Sequence, residues 1–189
     1  MKVKFKKLHE GAILPKKATE GSAAYDLYTP EDIIIKPGRQ VIPLGFAMEM
    51  PIEIQALVDP RSGFSSKGME GYEVLTISNY ETPLAMIANS VCLAREPERL
   101  NQPNTTLKKF VALESERFDC DVIEGKVDSD YRKGVGVIVH NRESRTFLIK
   151  AGTRIAQMTF QKVETVEWEE TDELLPSDRE GGFGSTGVS

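Results

Sequence analysis

The residues of this chain best suited to chemistry include the segment 60–68, Pro-Arg-Ser-Gly-Phe-Ser-Ser-Lys-Gly. This segment follows a predicted strand and places a guanidinium, several hydroxyls and backbone amides where a helix would begin. Such groups bind phosphate oxygens, so Arg61, Ser62 and Gly63 predict a phosphate site. A guanidinium also pairs readily with a carboxylate, and pairing of Arg61 with Asp59 or another acid is an equally good interpretation.

A second segment, 126–134, carries the carboxylates of Asp128 and Asp130 beside Tyr131. Residues two apart in a strand face the same side, so the two carboxylates could together hold a water or a metal. The same composition is typical of a solvated hairpin end, and these residues alone favour the turn. Asp26, which follows a run of small residues, is a further isolated carboxylate.

The last nine residues, 181–189, contain four glycines around Phe183. Glycine lets backbone amides approach a phosphate, the hydroxyls of Ser185 and Thr186 add donors, and the Phe183 ring can stack on a base. Such a segment cannot form a packed core. It is therefore a flap that closes over a ligand or a disordered terminus, and its composition alone favours the terminus.

The elements that must position these groups are predicted to be short strands separated by turns. The predicted strands cover 3–8, 24–28, 33–35, 40–48, 54–58, 122–127, 134–140, 146–149 and 154–163. This spacing favours an all-β sandwich or barrel. Between the two β-rich blocks, the patterns at 84–96 and 106–118 predict two helices, the first with Pro83 at its opening turn.

Composition narrows the class of protein. The 189 residues are 40% hydrophobic and carry a net charge of −5, which favours one globular domain and argues against a broad surface for nucleic acid. No apolar run is long enough for a membrane span, and the first seven residues lack the apolar segment of a secretory signal. We therefore expect a soluble, cytoplasmic protein. Cys92 and Cys120 are predicted to be reduced structural thiols.

Taken in order, five segments resemble the five ordered motifs of the trimeric dUTPase family. They are Ala24-Tyr25-Asp26-Leu27, Pro60-Arg61-Ser62-Gly63, Val127-Asp128-Ser129-Asp130-Tyr131-Arg132, Gly152-Thr153-Arg154-Ile155-Ala156-Gln157 and Gly181-Gly182-Phe183-Gly184-Ser185-Thr186-Gly187. The resemblance covers residues 1–70 and 121–189. It implies a jelly-roll-like distorted β-barrel and a homotrimer with three active sites between subunits. It also implies Mg²⁺-dependent hydrolysis of dUTP to dUMP and pyrophosphate, which keeps uracil out of DNA and supplies dUMP for thymidylate synthesis.

The resemblance also implies roles for the hairpin and for the nucleoside it would bind. Asp128 would orient and deprotonate the attacking water and contact the sugar 3′-OH. Tyr131 would pack under the deoxyribose and leave no space for a 2′-OH. Backbone groups of the hairpin at 122–127, including Val127, would read uracil and reject the thymine methyl and the cytosine edge.

The implied phosphate site is built from other motifs. Asp26 would hold Mg²⁺ through coordinated waters, as suits a small cation that dehydrates reluctantly. The groups that would bind phosphate oxygens are Arg61, Ser62, Gly63 and Gln157. Arg154 and Ile155 are expected to pack the trimer rather than contact substrate.

The C-terminal arm, 170–189, would close last over the active site. Phe183 would lie over the uracil, and Arg179, Ser185 and Thr186 would bind the γ-phosphate, with Gly184 among the tail contacts. Arg179 stands one residue closer to the tail glycines than the family pattern has it. Val122 stands where the family often has asparagine, which removes one side-chain contact but leaves the backbone contacts.

Residues 71–120 are predicted to be an insertion in a single dUTPase domain, because the family links its second and third motifs compactly. The insertion could contact a protein partner, and a nucleotide-sensing module is one alternative function. The other alternative is dCTP deaminase, which has a similar fold. Its catalytic glutamate aligns with Ile138, an aliphatic residue that cannot transfer protons, so the dUTPase interpretation is favoured.

Overall fold

A computed structural model of the chain describes residues 1–78, 91–92, 107–112 and 114–176. These ranges contain fifteen strands and one short helix. The elements are β1 (Lys4–Lys7), β2 (Tyr25–Tyr28), β3 (Ile33–Ile35), β4 (Gly38–Pro43), β5 (Phe46–Glu49), β6 (Ile54–Asp59), α1 (Ser62–Lys67), β7 (Met69–Ser78), β8 (Val91–Cys92), β9 (Leu107–Ala112), β10 (Glu116–Phe118), β11 (Cys120–Ile123), β12 (Gly125–Val127), β13 (Gly136–Asn141), β14 (Phe147–Ile149) and β15 (Arg154–Lys162). In this part of the chain, no helix is long and apolar enough to cross a membrane.

The strands form antiparallel sheets, which confirms the all-β prediction. The sheet that carries the site has the order β12-β6-β15-β2, and a second has the order β11-β13-β4. A third sheet has the order β3-β14-β7-β9-β8, with β10 paired to β7, and β1 pairs with β5. Together they give the jelly-roll-like β arrangement that the sequence predicts.

Two predicted strands are each divided where the chain moves from one sheet to another. The strand predicted over 40–48 breaks at Gly45, whose φ of 71° lies in the left-handed region that favours glycine. On one side of the break β4 pairs with β13, and on the other β5 pairs with β1. The strand predicted over 122–127 breaks at Glu124, because β11 pairs with β13 whereas β12 pairs with β6.

The helix predicted over 106–118 is wrong. Of its described residues, 107–112 form β9 and 116–118 form β10, and both strands pair with β7. The apolar spacing of Leu107, Phe110 and Val111 fits a helix, but such a short run does not separate a helix from a strand. The available edges of β7 decide the matter, since β propensity depends strongly on the neighbouring strands. Most of the helix predicted over 84–96 lies outside the described residues, although Val91–Cys92 form strand β8.

The hydrophobic core joins the site-bearing sheet to β7 and β10. Met69 at the start of β7 is fully buried, and Phe118 at the end of β10 stacks on Phe147 with ring centroids 3.9 Å apart. Cys120 is buried and unpaired, as predicted. Burial, followed by the nearby carboxylates of Asp121 and Asp119, raises the pKa of its thiol to about 12, which leaves it unreactive at neutral pH.

An ion-pair network fixes β10 beside β7. Arg145 lies in the turn between β13 and β14 and pairs with Glu116 at 2.7 Å and with Glu73 at 3.2 Å. It also pairs with Glu143 in the same turn, and its guanidinium lies over the ring of Phe147. Burial opposes the charge on Glu143, but the amide of Asp119 and the Arg145 guanidinium outweigh it and lower the pKa of this carboxyl. The network therefore joins the turn between β13 and β14 to the start of β10 and to the middle of β7.

Gly68 joins α1 to β7 in a backbone conformation that other residues rarely adopt. Its φ of 75° and ψ of 176° fall in a region that is essentially restricted to glycine. A methyl group added at this position would also overlap the carbonyl oxygen of Phe118. The turn that leaves α1 consequently requires glycine for two independent reasons.

We predict that Gly68→Ala lowers the free energy of unfolding by about 2–4 kcal/mol, from backbone strain and overlap with β10. Urea unfolding at a fixed protein concentration measures the change. Gly21→Ala is the matched control, because nothing lies within 4 Å of the added atom. We expect the control to change stability by about 0.5 kcal/mol or less. Equal stability of the two variants would contradict the assignment of strain to Gly68.

Candidate active site

Asp26, on β2, is the centre of a cluster of charged side chains. Asp26 is only 8% exposed, and its Oδ1 lies 3.0 Å from Nε of Arg61. Its Oδ2 lies 3.3 Å from Nη1 of Arg154. Nη1 of Arg61 also donates to the carbonyl oxygen of Arg154 at 3.2 Å. A buried carboxylate is costly without opposite charges, and these two guanidinium groups supply them next to Asp26.

The strand register brings Gln157 to the same cluster. Gln157 on β15 lies opposite Asp26 on one side and Asp59 on the other. Side chains directly opposite in antiparallel strands share a face with Cβ atoms about 5 Å apart. Asp59 accepts a hydrogen bond from the hydroxyl of Thr159. The carboxylate that pairs with Arg61 is therefore Asp26 and not Asp59.

The turn after β6 presents Ser62 and Gly63 at the start of α1. The amides of Phe64 and Ser65 donate to the carbonyl oxygen of Arg61 at 2.8 and 3.0 Å, which begins the helix. Phe64 is buried and anchors the turn in the core, whereas Ser62 and Gly63 are exposed. The first amides of a helix have no acceptor within it, so those of Ser62 and Gly63 can bind an anion.

A cleft of about 420 Å³ opens beside this turn. Its lining residues are Arg61, Gly63, Phe64, Lys67, Glu70, Arg117, Gly152, Thr153 and Arg154. Four of them carry a positive charge and one carries a negative charge. In a chain with a net charge of −5, this local excess of positive charge favours an anionic ligand.

Three cationic residues of the cleft had no substrate role in the sequence analysis. Lys67 lies in the segment 60–68, which predicted a phosphate site, so its position in that segment could have identified it. Arg154 was expected to pack a trimer, but it lines the cleft and pairs with Asp26. Ile155, expected beside it at the trimer contact, is instead fully buried in the core of its own chain. No sequence pattern pointed to Arg117.

The loop 128–134 that contains Asp128 is held by its own hydrogen bonds. The amide of Tyr131 donates to the carbonyl oxygen of Asp128, and its hydroxyl donates to that of Gly134, both at 3.1 Å. Asp128 and Asp130 are exposed. Within the described ranges no three histidine, cysteine or acidic side chains cluster to hold a metal. Residues 129–130 form a turn, as the composition favoured, but the loop joins β12 to β13, which lie in different sheets, and so it is not the end of a hairpin.

Within one chain, this loop does not meet the Asp26 cluster. Val127 on β12 lies opposite Ala56 on β6. Asp59, three residues further along β6, lies in one row with Gln157 and Asp26 on the next two strands. At standard strand dimensions, Val127 is therefore displaced from Asp26 by about 10 Å along the strands. The three spacings between β12 and β2 add about 14 Å across the sheet. Asp128 lies one residue further away, beyond hydrogen-bond reach of a phosphate bound at Arg61.

The predicted tail residues lie outside the described part of the chain. They are Arg179, Phe183, Gly184, Ser185 and Thr186. The described arm ends at residue 176, and it exposes Trp168, Leu174 and Leu175. Exposed apolar side chains concentrated on one extended segment are typical of a surface that binds another protein.

Comparisons with known proteins agree with these motifs. The dUTPase family model matches residues 10–86 and 118–187. The deoxyuridine 5′-triphosphate nucleotidohydrolase of Gloeothece citriformis is 33% identical, with 100% of this chain and 99% of that protein aligned. The corresponding protein of Helicobacter pylori strain J99 is 30% identical over the same shares of both chains.

Solved structures share the fold. The dUTPase of Staphylococcus bacteriophage 80alpha with dUpNHpp has a TM-score of 0.67 and 21% identity, with 99% of each chain covered. The dUTPase of phage phi11 of S. aureus has a TM-score of 0.61 and 17% identity, with 92% of this chain and 98% of that chain covered. From the family match and the identity to the curated relatives, this chain belongs to the dUTPase family.

Proposed function

We propose that this chain hydrolyses dUTP to dUMP and pyrophosphate. The observation that carries the proposal is the convergence of Asp26, Arg61 and Gln157 beside a positively charged cleft, in a chain of the dUTPase family. These residues come from three separate motifs and meet through strand pairing. The relatives from Gloeothece and Helicobacter are named for this reaction, which supports the same substrate here.

The triphosphate binds along the cleft. Arg61 gives two of its five N–H donors to Asp26 and to the Arg154 carbonyl. Among the residues that the structure describes, its other donors have no partner, so they can bind phosphate oxygens. The amides of Ser62 and Gly63 and the side-chain amide of Gln157 add further donors. Since the donors are fixed by the sheet and by α1, they orient the phosphates before the reaction begins.

A Mg²⁺ ion carried by the triphosphate fits these residues better than one caged by protein. Asp26 is a single carboxylate, and its two oxygens already contact Arg61 and Arg154. Mg²⁺ keeps several waters and is commonly held by substrate phosphates with one or two carboxylates. Asp26 would therefore hold the ion through its coordinated waters rather than directly. When bound, the ion neutralises charge that develops on the phosphates.

Asp128 acts as the base for the attacking water at the α-phosphorus. Its carboxylate is exposed, at the start of a loop held by Tyr131, so it is free to bind a water. The hydrogen bond from the Tyr131 hydroxyl to the Gly134 carbonyl oxygen orients the phenol ring of a residue that is 41% exposed. This ring packs under the deoxyribose and leaves no space for a 2′-OH.

Uracil is read by backbone groups of β11 and β12. Each of these strands lies at the edge of its sheet as described, with β13 or β6 on one side only. An edge strand presents a row of unpaired N–H and C=O groups. Such groups hydrogen-bond a base in one orientation, and Val127, at the end of β12, belongs to this surface.

Each active site is shared between copies of the chain in a homotrimer. The separation of Asp128 from the Arg61 cluster within one chain supports this, because both must reach the same phosphate. The exposed apolar arm around Trp168, which is 91% exposed, supports a contact with a neighbouring copy. The tail then brings Phe183 over the base and Arg179, Gly184, Ser185 and Thr186 to the phosphates, which excludes water.

We predict that, with Mg²⁺, the protein releases pyrophosphate from dUTP at least about a hundredfold faster than from dCTP, dTTP or UTP. The backbone of β11 and β12 excludes the wrong bases, and Tyr131 excludes the ribose. Parallel assays with the four nucleotides measure the ratio. Comparable release from dCTP would contradict the uracil site, and comparable release from UTP would contradict the role of Tyr131.

We predict that Asp128→Asn lowers kcat for dUTP about 10²–10⁴-fold, because the variant has lost the general base. Calorimetry should find dUTP binding to the variant unchanged within about twofold, since Asn keeps the size and the polar contacts. Asp130→Asn, in the same loop and equally exposed, is the matched control and should keep nearly full activity. Normal turnover by Asp128→Asn would refute its assignment as the base.

Complementation tests whether the site is shared. Asp128→Asn and Arg61→Met should each be nearly inactive, but their co-expression should restore activity in about one quarter of the sites of random mixed oligomers. Those sites combine an intact Asp128 with an intact Arg61 from different copies. Co-expression of Arg61→Met with Asp26→Asn is the control, and it should restore nothing because both residues come from the same copy. No recovery in the first pair would place the whole site within one chain.

A further inference from the structure

Arg117 reaches the phosphate cleft from a part of the chain that the dUTPase family model does not match. The unmatched segment is 87–117, and Arg117 is its last residue. It lies on β10, where it pairs in register with Glu70 on β7. A side chain that comes from outside the family match thus lines a cleft built from family motifs.

The contacts of Arg117 are made with the end of α1. Its Nη1 donates to the carbonyl oxygen of Gly68 at 3.0 Å, and its Nη2 lies 3.4 Å from Oε2 of Glu70. The hydroxyl of Ser115 donates to the other oxygen of Glu70 at 2.7 Å. Gly68 closes α1, since its amide donates to Phe64. Arg117 therefore holds one end of the helix whose other end presents Ser62 and Gly63.

The strand that carries Arg117 is itself firmly held. Neighbouring residues of a strand face opposite sides, so Glu116 and Phe118 lie on the side away from Arg117. On that side Glu116 contacts Arg145, and Phe118 stacks on Phe147 in the core. A rigid strand thus supports the guanidinium, and movement of β10 would be passed directly to Gly68.

We propose that Arg117 is a positioning residue for phosphate binding. Through the Gly68 carbonyl it fixes α1, and through α1 it sets the amides of Ser62 and Gly63 against the substrate phosphates. The end of the segment 87–117 is in this way mechanically coupled to the active site. This inference rests on the proposed function, because it assigns a role to Arg117 in the same cleft.

The alternative is direct charge attraction between Arg117 and a phosphate, and Glu70 separates the two roles. If Arg117 attracts phosphate directly, Glu70→Gln removes a repulsive charge and frees the guanidinium, so the triphosphate binds more tightly. If Arg117 positions α1, the same change loosens Arg117 and weakens binding. Glu70 is 54% exposed, so its own effect on the phosphates is largely screened and does not reverse this sign.

The test measures binding of the non-hydrolysable analogue dUpNHpp and of dUMP by calorimetry, with dUTP kinetics and thermal unfolding in parallel. The variants are Arg117→Met, Glu70→Gln and the double variant. Arg142→Met is the control, because Arg142 is an exposed arginine that pairs with Asp121 and does not line the cleft. Arg117 is 48% exposed, so its replacement is compatible with folding.

We expect Arg117→Met to weaken dUpNHpp binding and raise KM about three- to tenfold, with a smaller effect on dUMP and an unfolding temperature equal to that of the control. We expect Glu70→Gln to weaken dUpNHpp binding as well. The double variant should weaken it by less than the product of the two single-variant factors, because the two residues act through the same contact. Affinity equal to that of the control, or tighter binding by Glu70→Gln, would overturn the inference. If the wild-type chain binds dUpNHpp but does not turn over dUTP, the proposed function fails, whereas the effect of Arg117 on binding is still measured.

Discussion

The carboxylate of Asp26 is the group on which the arrangement of the site depends. It lies almost buried on β2, and a buried carboxylate is stable only where opposite charges replace the water it has lost. Arg61, just after β6, and Arg154, at the start of β15, supply those charges. The two ion pairs therefore join three strands at one end of a sheet, and they hold the turn that begins α1 beside the turn that precedes β15.

The same pairing explains how an acidic chain keeps a positive cleft. Two guanidinium groups share the single carboxylate of Asp26, so the cluster has an excess positive charge, and Lys67 adds to it. Arg117 and Glu70 also line the cleft, where they pair with each other. Because the charge is concentrated on a few fixed side chains, it suits a small ligand with several phosphates, while the net charge of −5 disfavours long polyanions.

The strands before residue 60 and after residue 120 were predictable because their signals are local, whereas β7 (Met69–Ser78) was not predicted. Runs of β-branched and aromatic residues between proline and glycine turns determine where a strand lies, and each predicted strand is found. The helix predicted over 106–118 was wrong because β9 and β10 owe their conformation to β7, which lies far away in the sequence. The breaks at Gly45 and Glu124 have the same origin, since each marks a change of pairing partner.

By itself, the sequence determined the chemistry that is available: the order of the motifs, the residue types for binding phosphate and activating water, and the dUTPase family. Only the tertiary structure decided which of these residues meet. Strand register brings Arg154 to Asp26 and Arg117 to Gly68, and it keeps Asp128 apart from both within one chain. The physical reason is that register is a non-local property, fixed by backbone hydrogen bonds between distant segments and by the common core on which they pack.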